Sequence, residues 1–172
     1  MKSRIFNSPV GNLLIREDEG SIVEVLFNDS ESGNESEIFA SKKAALSPGP
    51  SSRFITDDCE ILGKCVAELE MYFAGKLKEF TVPLKLIGTD FRKKCWQALR
   101  TIPYGETISY KELAIKVGNP KACRAVGGAN HHNPIVIIVP CHRVIGSGGS
   151  LTGFGGGLDK KQFLLDHEKK HK

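Results

Sequence analysis

Two helix signals separated by a few residues constrain this chain more than any other feature. Ser109-Tyr110-Lys111-Glu112 has the Ser-x-x-Glu spacing of a capping box, in which each end satisfies a free amide of the other, so a helix must start there. Gly118 ends it, and Asn119-Pro120 at once supplies an N-cap and a first-turn proline for a second helix, from Pro120 to about Ala129. Two short helices joined by a three-residue turn containing glycine form a helix-turn-helix. The second helix, Lys121-Ala122-Cys123-Arg124-Ala125-Val126-Gly127-Gly128-Ala129, contains two glycines that each cost about 1 kcal/mol against alanine. Close approach of the backbone to something explains them. Tight packing on a neighbouring helix is one reading; a smooth surface carrying Arg124 into the narrow groove of DNA is the other.

Charge bears on that choice. Residues 1–85 carry 10 Lys/Arg and 14 Asp/Glu, leaving 14 and 6 for residues 86–172, so the net charges are −4 and +8. All five histidines lie in the basic half as well. A basic half of this kind suits a polyanionic partner or a solvated surface with equal weight.

The rest of the chain reads as α+β. Arg4-Ile5-Phe6, Asn12-Leu13-Leu14-Ile15-Arg16 and Ile22-Val23-Glu24-Val25-Leu26-Phe27 are three short runs separated by turn residues, the punctuation of an antiparallel meander. Residues 28–53 lose periodicity and read as a long exposed loop. From Asp57 the spacing of Leu62, Cys65, Val66, Leu69, Tyr72 and Phe73 is helical, with Asp57 or Asp58 to cap it and Gly75 to end it. Composition changes near Pro83. Residues 1–83 are therefore expected to form a small domain of antiparallel sheet plus helix. Residues 84–172 are expected to form a mainly helical, winged-helix-like domain containing the helix-turn-helix. A helix over Asp90–Arg100 should place Phe91, Cys95 and Leu99 on one stripe, with Trp96 beside it as core.

With 40% hydrophobic and 26% charged residues the chain is packable, and no apolar run approaches the roughly 20 residues of a membrane span. Met1-Lys2-Ser3-Arg4 leads into a short alternating segment, not a signal-peptide core, so a cytoplasmic location is expected. The odd set Cys59, Cys65, Cys95, Cys123 and Cys141 lacks paired short spacings, so thiols are the default. Cys59 and Cys65 diverge along one helix and are poorly placed for a disulfide.

Chemistry concentrates in Asn133-Pro134-Ile135-Val136-Ile137-Ile138-Val139-Pro140-Cys141-His142-Arg143-Val144-Ile145. The apolar run should bury itself as a strand or extended segment, with Pro140 breaking it one residue before Cys141 and delivering the thiol to a cavity wall. His142 can stabilise a thiolate, bringing its pKa from ~8.5 toward neutrality. Cys-His alone also fits a cysteine hydrolase using Cys141 with His131, His132 or His167. His131, His132 and His142 could likewise hold a metal, although Asn130-His131-His132-Asn133 reads more simply as a polar loop after a helix.

Pro140-Cys141-His142-Arg143-Val144-Ile145, preceded by Arg124-Ala125-Val126-Gly127-Gly128-Ala129 and Asn133-Pro134, resembles the active-site region of the O6-alkylguanine-DNA alkyltransferases, also called methylated-DNA-protein-cysteine methyltransferases. The spacing is shared from Phe91 to Glu168, including Ile102-Pro103-Tyr104-Gly105-Glu106 and Ser109-Tyr110. The first 80 residues are similar only in expected architecture, so a ribonuclease-H-like fold for them is inherited from the resemblance.

The resemblance implies that Cys141 takes methyl or larger alkyl groups from guanine O6, less well from thymine O4, once and irreversibly. Nothing in the sequence offers to cleave the thioether product. It implies that Tyr110 gives or shares a proton at the base's N3. His142 would pass the thiol proton, through a water, toward an orienting Glu168, and Asn133 would act as hinge. Arg124 would fill the space of the flipped base. Tyr110, Lys111, Asn119 and Ser147 would touch the DNA backbone, with Ala125, Gly127 and Gly128 on the smooth minor-groove helix. The carbonyls of Cys141 and Val144 would read the guanine amino group. Seven glycines in residues 146–157 would form a flexible pocket wall. Phe154 stands there where many relatives have tyrosine, and Gly155 where some have a hydroxyl residue near O6. The implied partner is double-stranded DNA, bound through the minor groove by a monomer with little sequence preference. No cofactor is implied, and no zinc, since no cysteine precedes Cys59 and no histidine precedes His131. A binding-only relative that flags lesions is the other reading, but such proteins lack the cysteine.

Overall fold

The computed structural model describes residues 1–28 and 59–172. The Asp57 or Asp58 cap, and all but the first residue of the expected 28–53 loop, lie outside the described residues. The meander is present as β1 (Lys2–Ser8), β2 (Gly11–Asp18) and β3 (Ser21–Asn28), an antiparallel sheet in the order β1-β2-β3. Glu19 (φ 50°) and Gly20 (φ 77°) both take the left-handed region, which matches the two-residue turn to the twist of β2 and β3. Leu13, Ile15, Ile22 and Val25 are buried. On them packs α1 (Glu60–Phe73) through Leu62, Cys65, Val66, Leu69 and Tyr72. Gly75, at φ 71°, ends α1 as expected.

β3 also carries the joint to the rest of the molecule. Ile22 N–H donates to Pro83 O (2.8 Å) and Lys85 N–H to Ile22 O (2.9 Å). Val25 N–H donates to Pro134 O (2.8 Å) and Val136 N–H to Val25 O (3.0 Å). The sheet thus grips the apolar run that leads to Cys141.

That run is not the strand its composition suggests. Ile137 stands at φ 73°, Ile138 N–H closes a three-residue turn onto Val136 O (2.9 Å), and Val139 N–H returns to Ile135 O (2.9 Å). A β-branched residue at positive φ costs roughly 1–3 kcal/mol and persists only where its surroundings over-determine it. Asn133 supplies that constraint: its Oδ1 accepts from Ile135 N (3.0 Å) while its Nδ2 donates to Val139 O (2.7 Å), drawing the two ends of the turn together.

The basic half contains α2 (Asp90–Leu99), capped by Thr89, and β4 (Ile108–Ser109). α3 (Tyr110–Lys116) begins with the Ser109/Glu112 capping box complete in both directions. α4 (Cys123–His131), β5 (Val144–Ile145) and α5 (Leu158–Lys170) follow, and β4 and β5 pair in parallel. Two expectations fail here. Phe91 is 36% exposed, so the buried stripe of α2 is Cys95, Trp96 and Leu99. The second helix of the pair starts at Cys123 and not at Pro120. Asn119 Oδ1 accepts from Lys121 N (3.2 Å) and Asn119 O from Ala122 N (3.0 Å), a side-chain-stabilised turn that competes with helix and delays it by three residues. Trp96 Nε1 donates to Ala129 O (2.8 Å), fastening α4 to α2. No helix among the described residues is long and apolar enough to cross a membrane.

Candidate active site

The strained turn ends at Pro140, and a single 3₁₀ turn, Cys141–Arg143, follows. Cys141 is 5% exposed, and Asn133 Nδ2 donates to its Sγ at 3.1 Å. The amide that bends the backbone therefore also fixes the sulfur. Burial pushes the thiol's pKa up; the Asn133 amide, the Lys161 charge and the backbone amides of Cys141 and His142 pull it down without overcoming the burial. This corrects the expectation that a neighbouring histidine holds the thiol near neutrality. The resting thiol keeps its proton.

His142 is the next residue in the chain. It is fully buried, its Nε2 lies 2.7 Å from Glu168 Oε1, and its Nδ1 has no hydrogen-bond partner. Burial pushes the imidazole below its ordinary pKa, against the opposing pull of Glu168. For Glu168, burial favours the neutral acid, but the His142 and Arg143 contacts outweigh it and hold the carboxyl well below the usual range. An ionised carboxylate only accepts, so the His142 proton sits on Nε2 and Nδ1 offers a lone pair.

Five donors converge on Glu168. Oε1 faces Tyr72 Oη (2.8 Å), His142 Nε2 (2.7 Å) and Arg143 Nη2 (2.9 Å); Oε2 faces Arg143 Nε (2.8 Å) and Gly105 N (3.1 Å). Arg143 Nη1 donates to Ile102 O (2.6 Å).

The charge of Lys161 also acts on the thiol. Its side chain is buried, and Nζ donates to Val144 O (2.6 Å) and Thr152 O (3.1 Å). Burial lowers its pKa and the Cys141 charge partly restores it. Val144 O, expected to read the guanine amino group, thus already accepts one bond; a carbonyl has a second lone pair. Tyr110, at the first position of α3, donates its hydroxyl to Thr152 O (2.9 Å), and burial pushes its pKa up, so it carries its proton.

Phe154 packs edge-on against Phe27 of β3 at 5.8 Å, while Gly155 is exposed beside the His131 carbonyl. Lys111, Asn119, Arg124, Ala125, Gly128 and Ser147 are exposed. An added Cβ at Gly128 would meet nothing within 4 Å, and at Gly127 only the Tyr110 ring, at 3.9 Å. Packing within the molecule therefore requires neither glycine, and the helix-packing explanation falls away.

The histidine alternatives do not assemble. His132 Nδ1 and His167 Nε2 bond the carbonyls of Gly128 and Tyr72, and His142 is turned to Glu168. No cluster of three His, Cys, Asp or Glu able to hold a metal occurs among the described residues. The sequence alone assigns no chemistry to Tyr72, Arg143 or Lys161. Lys161 and Glu168 did carry a signal, because they stand in the buried stripe of α5 with Leu164, at spacings of three and four, where a helix ordinarily places apolar residues.

The chain also matches known protein families. The DNA binding domain of 6-O-methylguanine DNA methyltransferase matches residues 90–170, and the ribonuclease-like domain of the same proteins matches residues 1–86. The chain belongs to the 6-O-methylguanine DNA methyltransferase family. This methyltransferase is 48% identical over 164 residues to the methylated-DNA–protein-cysteine methyltransferase of Methanosarcina acetivorans, covering 95% of this chain and 96% of that one. It is 55% identical over 122 residues to that of Mycolicibacterium paratuberculosis, covering 71% and 74%. Among solved structures it is similar to the Mycobacterium tuberculosis OGT in complex with DNA. The TM-score is 0.79 at 43% identity, with coverage of 99% and 94%. The α+β fold of the methyltransferase agrees with that likeness.

Proposed function

We propose that the protein repairs DNA by moving an alkyl group from guanine O6, and less readily thymine O4, onto its own Cys141, once per molecule. The observation that carries this is the setting of two adjacent residues: Asn133 holds the Cys141 sulfur, and His142, with a free Nδ1, is locked by Glu168. The thiol proton passes to His142 Nδ1, through a water, and the thiolate attacks the saturated carbon. The S–C bond forms as the C–O6 bond breaks. The leaving guanine anion takes a proton at N3 from Tyr110, whose half-buried side chain keeps its hydroxyl protonated until then. Lys161 steadies the negative sulfur beforehand.

A base stacked in a duplex cannot reach a buried sulfur, so the nucleotide must turn out of the helix. In this reading α4 enters the minor groove with Arg124 in the vacated space, and Ala125, Gly127 and Gly128 lie against the groove. Lys111, Asn119, Ser147 and Tyr110 hold the backbone. Cys141 O and Val144 O read the guanine amino group, and Phe154 and Gly155 form part of the pocket wall. Because the minor groove carries a degenerate pattern, binding has little sequence preference and a steep salt dependence. The protein works as a cytoplasmic monomer of two domains, 1–83 and 84–172, without cofactor.

Incubation with duplex DNA carrying O6-methylguanine, followed by intact mass measurement, tests the reading. One added methyl, mapped to Cys141 and never exceeding one per molecule, is expected. No added mass, or many lesions cleared per protein, overturns it. Cys141→Ala should abolish transfer and retain salt-sensitive binding to DNA.

A further inference from the structure

We infer that Tyr72 is a positioning residue for this transfer, acting on His142 through the Glu168 carboxylate, so that α1 and the sheet beneath it help set the base at the nucleophile. The inference rests on the functional reading above. Tyr72 lies 96 residues before Glu168 in sequence, and is fully buried. A tyrosine serving only the core needs any acceptor for its hydroxyl. This one spends its proton on Oε1, the oxygen that also accepts from His142 Nε2. The ring cannot swing away, being packed against Phe73 (5.2 Å), Phe80 (5.6 Å), Tyr104 (6.0 Å) and His167 (5.3 Å).

The hydroxyl shares the charge on Oε1 and weakens its pull on the His142 N–H, which keeps the imidazole a neutral acceptor. The charged and titratable groups around this pair are Arg143, on both carboxylate oxygens, Tyr104 and His167 beside Tyr72, and Lys161 and Cys141 beyond His142. None replaces the hydroxyl on Oε1.

Tyr72→Phe is the test, read as the single-turnover methyl-transfer rate against pH. With one donor gone, Oε1 pulls harder on Nε2–H and His142 becomes more basic. The acid limb of the profile should move up by about half to one pH unit, given the usual strength of one hydrogen bond. At a pH below the limb that is a fall of about three- to tenfold. Simple loss of packing would lower the active fraction at every pH and leave the limb in place. Coincident limbs in parent and variant overturn the inference while leaving the function intact; absence of transfer by the parent overturns both. Should Tyr72→Phe fail to fold, proton NMR of the unsubstituted protein decides. A Tyr72 hydroxyl protected from exchange, moving with the His142 ring nitrogens as pH is varied, is expected. A freely exchanging hydroxyl overturns the inference.

Discussion

Glu168→Gln changes one atom type and should cost far more than its size suggests. The carboxylate is 1% exposed and presents one oxygen to three donors and the other to two. A glutamine has a single oxygen, so its NH2 must face either Arg143 Nε and Gly105 N–H, or Tyr72, His142 and Arg143 Nη2. Either way a buried donor meets a donor, and the Arg143 charge loses its counter-ion. Breaking a buried ion pair from one side costs about 3–5 kcal/mol. With a urea slope of about 2 kcal/mol/M, the unfolding midpoint should fall by roughly 1.5–2.5 M. Trp96, the single tryptophan and 2% exposed, reports the transition by fluorescence. The pH dependence supplies a second check. Glu168's folded pKa lies below its unfolded value, so its contribution is complete above about 4.3, the ordinary glutamate pKa, and is lost as pH falls toward the folded value. The gap between parent and variant should therefore narrow below about pH 4.3 and hold steady above it. A midpoint within about 0.3 M of the parent at neutral pH would refute the claim that this carboxylate anchors the site.

Lys161→Met removes the cation beside the sulfur. A rise of about one unit in the thiol's pKa would cut the thiolate fraction about tenfold at neutral pH. Iodoacetamide alkylation of Cys141 against pH measures it, and an unmoved profile refutes the role. The glycines form a contrasting pair. At Gly156 an added Cβ would stand 2.5 Å from the Phe27 ring, so Gly156→Ala should destabilise by about 1–3 kcal/mol in a thermal melt. At Gly128 the space is open, so Gly128→Ala should stabilise α4 by up to about 1 kcal/mol and weaken DNA binding. Gly128→Ala with unchanged DNA affinity would argue against α4 as the groove-facing element. Arg124→Ala should impair repair of duplex DNA much more than alkyl transfer from a free base analogue; equal losses would contradict its place in the stack.

The sequence reveals what depends on neighbours in the chain and hides what depends on distant ones. The hairpin turns, the Ser109 capping box and the stop at Gly75 are local decisions, and each is found where the residues put it. Periodicity misjudged residues 135–139 because a continuous apolar run is equally at home in a strand or a buried turn. What decides is the Asn133 side chain bonding both ends, which no periodicity encodes. Asn119-Pro120 misled for a related reason: the same asparagine oxygen that could cap a helix closed a turn on Lys121 instead. The resemblance brought Cys141, His142 and Glu168 into one frame. It left Tyr72 out because that residue's part lies in a contact across 96 residues.

The buried charges of α5 carry this argument furthest. A helix that buries Lys161, Leu164 and Glu168 on one face forgoes the hydrophobic stabilisation that three aliphatic residues would bring there. Both charges are instead hydrogen-bonded, Lys161 to two carbonyls of the pocket wall and Glu168 to five donors. Their opposite signs flank the Cys141–His142 pair, the cation toward the sulfur and the anion toward the imidazole. Moving a proton from Cys141 to His142 creates a negative sulfur and a positive ring, so this order of charges stabilises the ion pair at both ends. Reversing it would oppose the transfer at both ends. In the proposed reaction α5 is therefore the element that gives the proton transfer its direction.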